Sequence, residues 1–158
     1  MSKRELLAAA KAFCDDFANG APLEKLLSHF TEHEAVAIEH GHPSLCPWLG
    51  REFIGHKEIG SYFTQVEQTL SSDKIVFSDF FVDEENYRIG VVGKTRWTYK
   101  ATGKSWNETF TYVLDYAEGH SEEGEQSKRE LKVRRYAVWA DPGAVSFYIL
   151  PLSHPYRI

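Results

Sequence analysis

Glu108 and Asp141 both fall in runs of alternating aromatic residues. Glu108 lies in the run Lys104–Tyr116, beside Trp106 and Phe110, and Asp141 follows Trp139 at the end of the run Glu130–Ala140. A carboxylate on the apolar inner face of a sheet is costly unless it is paired or put to use. Burial raises its pKa, which suits proton transfer near neutral pH. Glu39 and His40, at the end of a short apolar strand, are two further groups able to move a proton. Each has a plainer alternative. Asp141 precedes Pro142 and suits a helix N-cap, Glu108 could pair with Arg135, and Glu39 could be a solvated strand end. Trp97, Tyr99, Trp106, Phe110, Tyr112 and Trp139, together with Arg135, are the candidate ligand-lining residues. Tyrosine and tryptophan join an apolar body to a polar tip, which suits a cyclic, partly oxygenated molecule.

Other chemistries find less support. His40 and His42, with His33 and Cys46 nearby, do not match a closed zinc spacing, so no metal site is expected. No Gly-rich phosphate loop, Ser-His-Asp arrangement or cysteine-nucleophile signature stands out, and no cofactor is expected.

The elements that would position these residues follow from hydrophobic period. Spacing predicts helices over Ser2 or Lys3 to Ala18, Pro22 to Phe30 and Gly55 to Leu70. Ala35 to Glu39 reads as a short strand, and His40 to Arg51, rich in Gly and Pro, as a loop. From Lys74 the period falls to two, giving strands Lys74–Val82, Tyr87–Lys100, Lys104–Tyr116 and Glu130–Ala140. An acidic loop, Glu118–Lys128, joins the last two, and a short apolar segment, Ala144–Leu150, is followed by an irregular tail with Pro151 and Pro155.

A tight turn at Thr102-Gly103 would set Tyr99 opposite Trp106 and Trp97 opposite Glu108. Leu114 opposite Val133 would then bring Glu108 beside Trp139, Trp106 beside Asp141, and Arg135 against Tyr112. Helices followed by a meander imply an α+β protein, with three N-terminal helices packed on a curved antiparallel sheet around a conical pocket. Val76, Phe80, Val82 and Val92 would lie on the outer sheet face, where a second copy could pair to give a homodimer.

With 158 residues, 42% of them hydrophobic and 14% aromatic, the chain is expected to form one domain spanning 1–158. A net charge of −5 gives no basic footprint for nucleic acid. No run approaches the ~20 apolar residues of a membrane span, and the amphipathic start is not a signal peptide. Two cysteines are too few for a disulfide framework, so a soluble cytoplasmic protein is the expectation.

The order of elements and three motifs resemble the superfamily of nuclear transport factor two, ketosteroid isomerase, scytalone dehydratase and the SnoaL-like polyketide cyclases. The motifs are Gly50-Arg51-Glu52-Phe53-Ile54-Gly55, Thr102-Gly103-Lys104-Ser105-Trp106-Asn107-Glu108 and Trp139-Ala140-Asp141-Pro142. The resemblance implies a cystatin-like α+β roll, with Asp141 at the place of the cyclases' acid/base and Glu39 at that of the isomerases' base. Phe13 stands where the isomerases carry an oxyanion-donating tyrosine. This scaffold hosts several reactions and plain binders. The expected function is a small-molecule pocket, with cofactor-independent isomerase, cyclase or dehydratase chemistry. The alternative is a non-catalytic binding or dimeric interaction module.

Overall fold

A computed structural model describes residues 1–121 and 128–149. Part of the acidic loop and the tail with Pro151 and Pro155 lie outside the described residues.

Helix α1 (Lys3–Ala18) starts at a capping box. The Glu5 N–H donates to Ser2 Oγ (3.3 Å), and the Glu5 carboxylate accepts the Ser2 N–H (2.7 Å). Its stripe Leu6, Ala10, Phe13 and Cys14 is buried. Helix α2 spans Leu23–Leu27 and α3 spans Gly55–Thr69, with Ile59, Tyr62 and Phe63 turned inward. Strands are β1 (Val36–His40), β2 (Glu52–Ile54), β3 (Leu70–Ser72), β4 (Val76–Asp83), β5 (Arg88–Tyr99), β6 (Ser105–Ser121) and β7 (Lys128–Trp139). Helix α4 (Pro142–Ile149) follows.

The strands form one sheet in the order β2-β1-β7-β6-β5-β3, with β4 also paired to β5. It curls around α1 and α3 as an α+β cone. The sheet is mixed and not purely antiparallel, because β1 runs parallel to β7, Ala37 against Tyr136 and Glu39 against Val138. At the middle of the cone Phe13, Phe30, Phe63 and Tyr136 meet largely edge to face, for example Phe13 and Tyr136 at 5.8 Å and 74°.

Both expected hairpin registers are corrected. Between β5 and β6 the loop is wider than a two-residue turn. The Tyr99 N–H donates to the Lys104 carbonyl (2.8 Å), and Gly103, at φ 72°, returns its N–H to the Tyr99 carbonyl. Trp97 therefore opposes Trp106, Thr95 opposes Glu108, and Gly93 opposes Phe110. A slip of two keeps every side chain on its expected face. Between β6 and β7 the slip is odd. Tyr116 opposes Val133 but Asp115 opposes Arg135, so Arg134 is an extra, bulged residue. Beyond it the faces exchange: Tyr136 and Val138 point inward, while Arg135 and Trp139 point outward.

In β4 the ladder is interrupted between Ser78 and Phe81, where Asp79 takes φ 54°. Phe80 and Val82, expected outside, pack against the core, and Phe81 takes the outer face at 62% exposure.

Candidate active site

Glu39, at the inward-facing end of β1, is buried, and the Tyr62 hydroxyl on α3 donates to it at 2.8 Å. Burial pushes its carboxyl up to about 7, against the opposing Tyr62 bond; the charge of Glu108 pushes the same way, and the nearby Trp48 indole opposes it. Tyr62, Tyr136 and Tyr112 set their hydroxyls in sequence leading to Glu39, and burial holds all three phenols well above their ordinary range.

Glu108 is also buried, on the inner face of β6. Burial raises its pKa. The Asp141 backbone N–H (3.1 Å), the Trp106 indole (3.5 Å) and the Trp97 indole partly offset that rise.

The two acids line one hollow with Trp48, Tyr62, Tyr112, Tyr136, Trp97 and Phe110. Val145 of α4 closes one side, and Tyr148 stacks flat on Trp106 (5.0 Å, 5°). The free space inside is about 40 Å³. A cavity of roughly 150 Å³ is needed to take up benzene, so the hollow alone admits one or two small groups of a ligand. A groove of about 310 Å³ adjoins it and shares its walls Phe17, Phe63, Val66, Leu70 and Trp97. Leu26, Ile75, Glu67 and Lys100 extend that groove.

The structure thus gathers Glu39, Glu108, Trp97, Phe110 and Tyr112 around one space, and Trp106 packs at its edge. Tyr99 is half-buried at the end of β5, opposite Leu70. Four expected residues stand elsewhere. Asp141 is exposed, and its Oδ1 accepts the Ala144 N–H at 3.0 Å, which caps α4. His40 is on the outer face, stacked on Trp139 at 4.3 Å. Trp139 is 47% exposed there, and Arg135 reaches Glu52 (3.2 Å) and not Glu108. Among the described residues, no three of His, Cys, Asp or Glu gather as metal ligands.

Sequence reading named neither Trp48 nor Tyr62 among the site residues. Tyr62 carried a signal: a phenol on a buried helical stripe needs a polar partner. Trp48 lay in a segment classed as loop by its prolines and glycines. That segment turns inward, burying Cys46, Trp48 and Leu49, and the Gly50 N–H bonds the Glu39 carbonyl (2.9 Å).

Cone, roofing helices and a buried acid pair define an α+β pocket protein, a class with many known folds to compare. No family model and no curated protein matches the chain. Solved structures do. An NTF2-like protein of unknown function from Burkholderia pseudomallei is 18% identical, with a TM-score of 0.68 over 91% of this chain and 95% of that one. A ketosteroid isomerase-like protein from Erwinia carotovora atroseptica is 16% identical, with a TM-score of 0.61 over 94% and 96%. TerC, co-crystallised with polyporic acid, is 17% identical, with a TM-score of 0.65 over 89% and 94%. The fold is therefore the NTF2-like, ketosteroid isomerase-like one that the sequence motifs resemble.

Proposed function

We propose that this chain is a cytoplasmic small-molecule pocket protein, one domain over 1–158, that performs acid/base chemistry on a cyclic oxygenated substrate without a cofactor. The reaction class is isomerisation, cyclisation or dehydration. The observation that carries this reading is the placement of Glu39. A buried carboxyl that accepts a hydrogen bond from the Tyr62 hydroxyl at 2.8 Å, faces a second acid and sits near neutrality is suited to take a proton from carbon and return it. In this reading Glu39 is the base and Glu108 the second acid. Asp141 acts through its backbone N–H, which orients Glu108. The apolar body of the substrate occupies the adjoining groove.

The test is exchange of α-protons for deuterium in 2-tetralone and cyclohex-2-enone, followed by NMR in D2O. Wild-type protein should catalyse exchange in at least one of these, and Glu39→Gln should lose about 100-fold or more, the usual share of a general base. Exchange that is indifferent to Glu39→Gln overturns the reading.

A second reading, a dimeric interaction module, is favoured by the outer face, where Val76 and Phe81 are 53% and 62% exposed. A second copy of the chain would cover them. Sedimentation should then show a dimer, and Phe81→Glu should return it to a monomer.

A further inference from the structure

Two buried carboxyls share the hollow, and no positive charge answers them. Among the described residues no lysine, arginine or histidine lines the hollow, and neither Glu39 nor Glu108 takes part in an ion pair. The titratable groups that face Glu39 are Tyr62 on α3, Tyr112 and Glu108 on β6, Tyr136 on β7 and Cys46 of the inturned segment, and Asp141 adds its charge near Glu108. All of these are acids, neutral or negative and never positive. Buried charges are ordinarily paired, so the site lacks a cation.

We propose that the hollow binds the ammonium head of a primary amine between Glu39 and Glu108, with the amine's apolar body in the adjoining groove. The proposal goes beyond the acid/base reading, because it needs the two acids and the hollow but no reaction. The unused acceptor sites carry it. Glu39 already accepts from the Tyr62 hydroxyl and the Trp48 indole, and Glu108 from the Asp141 N–H and the Trp106 and Trp97 indoles. An ionised carboxylate has roughly four lone-pair sites, which leaves about two on Glu39 and about one on Glu108. A primary ammonium has three N–H donors and no acceptor, and so matches that remainder. A hard divalent metal, which takes roughly six or more oxygens, does not. The free space of about 40 Å³ suits a group close to water in size together with the carbon that bears it, and is too small for a trimethylammonium. Trp48 and Trp97 line the same space, and an indole attracts a desolvated cation further. The groove of about 310 Å³, walled by Phe63, Val66, Leu26 and Ile75, takes an aryl or alkyl body.

The probes are 2-phenylethylamine, its neutral counterpart 2-phenylethanol, and the trimethylammonium analogue of the amine, titrated by calorimetry at pH 8 and pH 5.5. At pH 8 the amine should bind about tenfold or more tighter than either of the others, as expected for hydrogen bonds to charged groups. At pH 5.5 the amine is still charged but Glu39, at about 7, keeps its proton, so amine binding should weaken about tenfold while the alcohol is unchanged. Glu39→Gln and Glu108→Gln should each weaken the amine about tenfold and leave the alcohol alone, and Glu67→Gln at the groove should change neither. The amine should also block exchange of 2-tetralone, since it sits on the proposed base. Equal affinity for amine and alcohol, equal affinity for the primary and trimethylammonium compounds, or a loss in Glu67→Gln and not in Glu39→Gln overturns the proposal. Exchange of 2-tetralone without preference for the amine leaves the acid/base reading standing alone, and amine binding without exchange does the reverse. Should the Gln variants fail to fold, the wild-type preference and its pH dependence decide.

Discussion

The protein should lose about 3 kcal/mol of stability between about pH 4.5 and about pH 8, and most of that loss should vanish in Glu39→Gln. The expectation follows from one group, whose carboxyl rises from an ordinary 4.5 to about 7 in the fold. Each unit is worth about 1.4 kcal/mol. Below about 4.5 folded and unfolded chains both keep the proton, and the full stability is present. Between 4.5 and 7 the unfolded chain releases it while the folded chain holds on, so stability falls as pH rises. Above about 7 both forms are ionised and the loss is complete. The rise at Glu108 acts in the same direction. Urea melts of wild type and variant at the two pH values measure the difference. Parallel pH dependence in the two proteins would show that Glu39 is not held near neutrality.

The same titration should govern any reaction at the site. A base must be ionised to take a proton from carbon, so exchange should climb through about pH 7, where the fold is weakened. Stability and activity then oppose one another at a single side chain. The proposed acid/base role would account for a carboxylate kept where a leucine would serve packing better.

How far the site was legible depended on parity. Trp97, Phe110, Tyr112 and Glu108 were placed on the correct face because alternation survives any even slip, and the β5–β6 slip was two. The inner face of β7 was lost to the bulge at Arg134, which follows a long loop and has no turn chemistry to mark it. That odd residue moved Arg135 and Trp139 to the outside and brought Tyr136 to the row of phenols. The parallel pairing of β1 with β7 joins segments almost a chain length apart, and no local pattern announces it. His40 followed from the same gap: once Glu39 faces Val138 on the inside, its neighbour must face out. Asp141 was legible as a cap from the Asp-Pro pair, and the fold confirms that bond, while its backbone N–H holds Glu108. The motif at the end of the last strand thus lies beside the hollow through its backbone, while its side chain caps α4.

Gly93→Ala tests the observed β5–β6 pairing at its tightest point and should cost about 2–3 kcal/mol. Gly93 is buried opposite Phe110, and a Cβ on it would come within 2.3 Å of the Phe110 ring. The ring cannot swing aside freely. It is 2% exposed, set edge-on to Phe77 at 5.9 Å and packed on Tyr112 at 5.1 Å and Trp97 at 6.4 Å. Alanine would gain roughly 0.5–1 kcal/mol from a stiffer unfolded chain, which is smaller than the cost of overpacking. Shortening the neighbour should therefore relieve the defect. Gly93→Ala combined with Phe110→Leu should be more stable than the sum of the two single losses implies, by about 1 kcal/mol or more, as expected of residues in contact. Under the two-residue turn, Gly93 would have opposed Tyr112 and relief would have come from that position. Denaturant titration of the single and double variants decides: additive losses would mean that Phe110 does not lie over Gly93, and the wall shared by hollow and groove would have to be redrawn.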